Sequence, residues 1–153
     1  MRLPSTEVRG MPSRLFVGLL FVASSASVLV AQAPPRHVVT PLSEAKFVPD
    51  EDVACLSYAL ESGDPEHGAS TLALKAPPGC VVPWHYHTAQ EQLIVVQGEA
   101  LTEMEGMSPK ILGPGGFASM LSREKHQFTC KGKSECILFV TFDRTYDIFW
   151  VKP

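Results

Sequence analysis

Beyond residue 46 the chain is built of short runs of Val, Ile, Leu, Phe and Thr in which apolar and polar positions alternate. No useful length of it shows the three-to-four-residue spacing of an amphipathic helix. The runs predict strands over residues 53–60, 70–75, 81–87, 91–97, 99–105, 117–120, 126–130, 136–142 and 146–151. Between them lie the turn clusters SGDPEHG, APPG, EGMSP, GPGG and KGK. Many short strands at near-regular spacing, punctuated by Gly and Pro, predict an all-β sandwich or barrel. There is no internal repeat and no long low-complexity tract.

The pattern differs before residue 34. Leu15 to Ala23 (LFVGLLFVA) is an apolar run preceded by Arg14 and followed by the small residues of SSASVLVAQA. It reads as a secretory signal peptide over residues 1–33, cut somewhere in 26–33. The competing reading is an uncleaved anchor, because residues 15–33 approach the length that spans a bilayer. The serines at 24, 25 and 27 and the short apolar heart favour cleavage. The polar lead of fourteen residues is long for a signal, and Met11 offers a tidier start. Residues 34–46 then form a leader and 47–153 the folded domain, in a protein expected to be secreted or periplasmic.

Charge and cysteine content narrow the partners and the compartment. Without residues 1–33 the chain keeps ten basic and fifteen acidic residues, a net charge of −5. Phosphate backbones and anionic lipids are poor partners for such a surface, so neither nucleic acid nor, after cleavage, a membrane is expected. About 120 residues suffice for an autonomous core. Cys55, Cys80, Cys130 and Cys136 all lie in the mature part, and no cysteine precedes Lys46 to carry a lipid. In an oxidising compartment they can pair in three ways. Cys130 and Cys136 flank KGKSE, which reads as a hairpin loop placing them opposite each other on paired strands; Cys55–Cys80 then follows by default. Four buried thiols are the alternative.

The candidate chemistry lies in PPGCVVPWHYHTAQEQLIVVQGEA, residues 77–100. Two residues apart on a strand, His85 and His87 face the same way while Trp84 and Tyr86 face the other. Along a straight strand Glu91 would lie about 13 Å past His87. The chain must therefore turn at Thr88, Ala89 and Gln90, bringing Glu91 onto the next antiparallel strand beside the histidines. Two imidazoles and a carboxylate in apolar surroundings are costly to bury unless something pairs with them.

Gly79, His85, His87, Glu91 and Gly98 fill every fixed position of the first motif of the cupin family, which this chain resembles from about Phe47 onward. At the second motif's spacing stand Gly115, Leu121, Arg123, His126 and Cys130; the glycine and the histidine match, while Leu121, Arg123 and Cys130 replace proline, glycine and asparagine. Leu121 and Arg123 must then adopt backbone angles that those residues would favour. The resemblance implies a double-stranded β-helix (jelly-roll) barrel in which His85, His87, Glu91 and His126 bind one divalent metal ion. Fe, Mn, Ni, Co, Cu and Zn all suit that donor set. The competing reading is a barrel that has lost metal, its histidines hydrogen-bonded in a polar interior.

The resemblance implies a metal-dependent enzyme of oxygenase or isomerase type acting on a small organic molecule, or a non-catalytic module that binds a metal or small ligand. It also implies a homodimer. If a proton must move, Glu91 released from the metal or a metal-bound hydroxide is the only candidate. Cys130 shares a strand face with His126 but is about 13 Å away, so it is no ligand. His37, His67 and the methionines are assigned no function, and Gln92 and Gln97 read as surface polarity. Gln127 should point away from His126. Phe117, Phe128, Phe139, Phe142, Trp84 and Trp150 read as core aromatics, one or two of which would line a pocket at the barrel mouth.

Overall fold

The alternation expected from the sequence is realised as two antiparallel sheets packed face to face. The computed structural model describes residues 37–151; the signal-peptide reading lies outside them. Among the described residues, a 3-10 turn at Leu42–Glu44 precedes strands β1 (Val48–Pro49), β2 (Ser57–Gly63), β3 (Ser70–Ala76), β4 (Val81–Tyr86), β5 (Glu91–Gln97) and β6 (Glu99–Met104). After these come β7 (Lys110–Leu112), β8 (Phe117–Met120), β9 (His126–Lys131), β10 (Cys136–Phe142) and β11 (Phe149–Trp150). One sheet runs β1-β2-β3-β10-β5-β8, the other β11-β4-β9-β6-β7. This is the all-β jelly roll that the sequence implies.

Period-two alternation decides what fills the space between the sheets. Leu93 and Val95 of β5 face inward with Leu138, Val140 and Phe142 of β10, and Val82, Ala100 and Phe128 meet them from the other sheet. On the outer face Ile94 lies opposite Phe117, both about half exposed. Phe117 is therefore not a core residue: its register places it outside. Phe128 and Phe142 are buried as expected, Phe139 and Trp84 are half-buried, and Trp150 is exposed on an edge strand.

Successive strands pass from one sheet to the other over very short links. Only Gly98 separates β5 from β6, which lie in opposite sheets. It sits at φ +80°, and a Cβ there would meet the Glu135 carbonyl oxygen at 2.7 Å and the Cys136 Cα at 2.9 Å. Beside this crossing Cys130 bridges Cys136, and Cys55 bridges Cys80, so both expected pairings form. Their setting differs from expectation: β9 and β10 belong to opposite sheets and are not paired, so the Cys130–Cys136 bridge staples sheet to sheet.

Three elements depart from the sequence reading. Residues 53–56 make a turn, because the Asp50 carboxylate accepts the Asp52 and Val53 backbone N–H at 3.0 and 2.7 Å and Leu56 N–H closes onto the Val53 carbonyl. Of residues 146–151 only Phe149 and Trp150 pair, against Tyr86 and His85. The unforeseen β7 is a three-residue edge strand on β6.

Gly98→Ala is expected to lower stability by about 2 kcal/mol or more, since it combines a positive φ with backbone overlap. Gly79→Ala, at φ +83° with open space around it, should cost about 1 kcal/mol. Urea midpoints measure both, and equal losses would contradict the close-crossing account.

Candidate metal centre

The two histidines of the HYH stretch reach the barrel interior because β4 is irregular just before them. Its register against β9 shifts between Val82 and His85, where Pro83 has no N–H to give to a ladder. His85 then pairs with His126 across β4 and β9, and their ring centroids lie 4.2 Å apart. His87 follows just past the strand end and lies 4.9 Å from His85, ring to ring.

Glu91 arrives from elsewhere. Residues 88–90 reverse the chain as expected, but they also carry it into the opposite sheet. Glu91 on β5 thus faces the histidines across the barrel and does not stand beside them on a neighbouring strand. The four side chains are 3–6% exposed, and one ligand atom from each lies within 4.8 Å of the others. The structure therefore gathers all four residues that the resemblance implied, and Cys130, held in its disulfide, is not among them.

Hydrogen bonding fixes which ring nitrogen faces inward. Nδ1 of His85 lies 2.6 Å from the Pro83 carbonyl oxygen, Nδ1 of His126 lies 2.9 Å from that of Glu124, and Nδ1 of His87 contacts that of Asp147. A carbonyl only accepts, so each Nδ1 carries its proton and each neutral ring offers a bare Nε2. Nε2 of His126 and of His87 lie 3.1 and 3.2 Å from the same Glu91 carboxylate oxygen. Lone pairs would face lone pairs there unless a cation, either a proton or a metal ion, sits between them. The donor set therefore fits a metal ion.

The titration of these groups shows the same frustration. Burial works to raise the Glu91 carboxyl, but hydrogen bonds from His126 and His87 outweigh it and hold it at about 2. Burial pushes His85 down to about 4, with His126 adding to the effect. For His126 burial acts downward, yet Glu91 prevails and the imidazole is raised above its ordinary value. Without a metal ion, Glu91 therefore stays ionised and favours the protonated form of His126.

The turn that delivers Glu91 is clamped from a distant loop. The Asp147 carboxylate accepts the Thr88 backbone N–H at 2.7 Å and its hydroxyl at 2.5 Å, while Asp147's own carbonyl receives His87. Asp143 accepts the Gln90 N–H at 2.9 Å. On the other side Arg123 donates its N–H to the His87 carbonyl at 2.7 Å from a left-handed conformation, φ +66°. It is the one non-glycine residue at positive φ among the described residues. Arg123 thus adopts the glycine-like backbone that the second-motif spacing demands.

The centre opens into a cavity also lined by Asp50, Asp52, Thr102, Tyr146 and Trp150, none of which the sequence reading singled out as functional except Trp150 as a pocket aromatic. The Tyr146 ring lies tilted, 5.4 Å from the His87 ring, and its phenol is raised by burial and by carboxylates, Asp50 and Glu91 first. Asp147 and Tyr146 lie some sixty residues from His85 and His87, and no local pattern marks them. Gln127 hydrogen-bonds Glu103, away from the centre as expected, and His67 pairs with Asp64 in its loop.

A family model described as a cupin domain matches residues 74–142. No curated protein matches the sequence significantly. Among solved structures, KdgF from a Halomonas species aligns with TM-score 0.56 at 20% identity, covering 68% of this chain and 93% of its own. The polyketide cyclase RemF from Streptomyces resistomycificus aligns with TM-score 0.66 at 14% identity, covering 77% and 87%. A sugar phosphate isomerase from a cupin superfamily, from Silicibacter pomeroyi, aligns with TM-score 0.61 at 14% identity, covering 74% and 81%. At such identities the likeness is one of fold.

Uptake of a divalent ion at about pH 6 is expected to release about one proton per ion, because the raised His126 must give up its proton to ligate. The depressed His85 has none to give. Release should fall toward zero as pH rises past the His126 titration. Calorimetry in buffers of different ionisation enthalpy reads the number directly, and no release at pH 6 would contradict the shared-proton arrangement.

Proposed function

Because the chain belongs to the cupin family through its cupin domain, we propose that it is an exported protein in which His85, His87, Glu91 and His126 hold one divalent metal ion that acts on a small organic molecule. One observation carries the reading: three imidazoles, each protonated on Nδ1 by its hydrogen bond to a backbone carbonyl, gather with one buried carboxylate, which His87 and His126 address through Nε2. Such an array costs burial free energy that only a cation offsets. Fe, Mn, Ni, Co, Cu and Zn suit three nitrogens and one oxygen.

A bound ion supplies Lewis-acid polarisation of an oxygen-bearing ligand. The chain's own residues supply the rest. Leu93, Phe128, Val140 and Phe142 exclude water around the four ligating groups. Asp147 and Arg123 hold the turn so that Glu91 and His87 keep their alignment. Tyr146 stays protonated and offers a neutral hydroxyl near the His87 ring. That polyketide cyclase and sugar phosphate isomerase structures share the fold supports turnover of a small organic molecule, as oxygenase, isomerase or related enzyme.

Export rests on the LFVGLLFVA run and on two disulfides, which persist in secreted and periplasmic proteins.

Elemental analysis of the purified full chain is expected to find about one transition-metal ion per chain, and His85→Ala and His126→Ala to remove it. Oxygen uptake or product formation against phenols, keto acids and sugars should then depend on that ion. Unchanged metal content in His85→Ala would overturn the proposal. Tight metal with no chemistry across the panel would move the protein to the binding-module class.

A further inference from the structure

The walls of the cavity facing the four ligating residues carry a charge pattern that points to the class of ligand. Beside the four, most of the lining is aliphatic or aromatic. Among the described residues Asp50 and Asp52 are its other charged groups, and neither lysine nor arginine lines it. With Glu91 they make three carboxylates, so even a bound divalent ion leaves the cavity net negative. An anionic ligand would approach against that field, and no guanidinium or ammonium waits to receive it.

The acidic wall is built into the fold. Asp50 Oδ1 holds the turn through the Asp52 and Val53 N–H groups, and the Asp50 N–H reaches the Leu56 carbonyl at 3.0 Å. The Cys55–Cys80 bridge fastens the same turn to the start of β4. Both carboxylates line the same cavity as the Tyr146 ring. Tyr146 and Trp150, whose ring stands 5.5 Å from His85, give the cavity electron-rich aromatic faces.

A separate observation shows that the cavity expects a polar partner. Thr102, on β6, lines it at 8% exposure, and its hydroxyl has no hydrogen-bond partner. A buried hydroxyl left unpaired is costly unless a ligand completes it.

We infer that this cavity takes a small organic cation of the ammonium type, its positive group between the Asp50 and Asp52 carboxylates and the Tyr146 and Trp150 rings, with Thr102 hydrogen-bonding its hydroxyl or carbonyl oxygen. The inference rests on the metal-centre reading only for the ion's place in the cavity; the charge preference belongs to the wall.

Three near-isosteric probes test it: choline, its uncharged carbon analogue tert-butylethanol, and the tert-butylacetate anion. Calorimetric or NMR titration of the full chain, manganese-loaded and after chelation, is expected to show choline binding about tenfold tighter than tert-butylethanol, with tert-butylacetate weakest. The preference should widen after chelation. In the double variant Asp50→Asn with Asp52→Asn, whose side-chain oxygen at 50 can still hold the turn, it should shrink to about threefold or less. Thr102→Val should weaken choline and tert-butylethanol alike. The inference is overturned if tert-butylacetate matches choline, if the double variant keeps the full preference, or if choline does not bind. Manganese uptake in the same samples separates the two claims: uptake without choline preference sinks this inference alone, and choline preference without uptake sinks the metal reading alone.

Discussion

A buried carboxylate oxygen facing two bare imidazole nitrogens is repulsive until a positive charge is placed among them. Nε2 of His87 and of His126 both address one Glu91 oxygen at 3.1–3.2 Å, in an interior made largely of apolar side chains. Those side chains cannot relax toward water, and their rings cannot flip without abandoning the Pro83, Asp147 and Glu124 carbonyls. The barrel thus concentrates a requirement for a cation, a proton or a metal ion, at one point, and the other features of the site serve to keep it there.

The supporting structure does so by crossing between sheets. His85 and His126 are neighbours in one sheet, while Glu91 comes from the other across the turn at residues 88–90. A turn that short must be over-determined to hold a ligand in place. Asp147 and Asp143 grip it from the loop after β10, and Arg123 grips it from the turn before β9 by accepting a left-handed backbone that most residues avoid. Ser122 adds a hydroxyl bond to the Thr88 carbonyl at 2.8 Å. The two disulfides and Gly98 secure the sheet-to-sheet crossings elsewhere in the barrel.

How much of this was legible in the sequence depended on the range of the interactions. Strands β5, β8 and β10 lie where alternation alone placed them, because inward apolar residues at every second position leave one workable register. His85, His87, Glu91 and His126 were legible as a set through spacing and family resemblance. The edge segments were less so: β7 was not foreseen, β11 is the short paired part of a longer expected strand, and residues 53–56 turn because Asp50 captures the Val53 N–H. The sheet to which Glu91 belongs was hidden as well, since a reversal looks the same in sequence whether the next strand stays or crosses. Asp147, Tyr146 and Thr102 had no local signal, as each acquires its role from residues far along the chain.

Two consequences of the site's surroundings go together. The acidic wall of the cavity is fixed by a turn and a disulfide, whereas the four clustered side chains are fixed by carbonyls and strand register. Changes in one can therefore occur without loss of the other. The central claim is the cation itself, and anomalous diffraction from crystals of the protein tests it most directly. The account predicts a single strong peak enclosed by Nε2 of His85, His87 and His126 and the Glu91 carboxylate, at metal-ligand distances of about 2.0–2.2 Å. A fully ordered site with no peak after exposure to Mn, Fe, Co, Ni, Cu and Zn, or a peak elsewhere on the molecule alone, would contradict it.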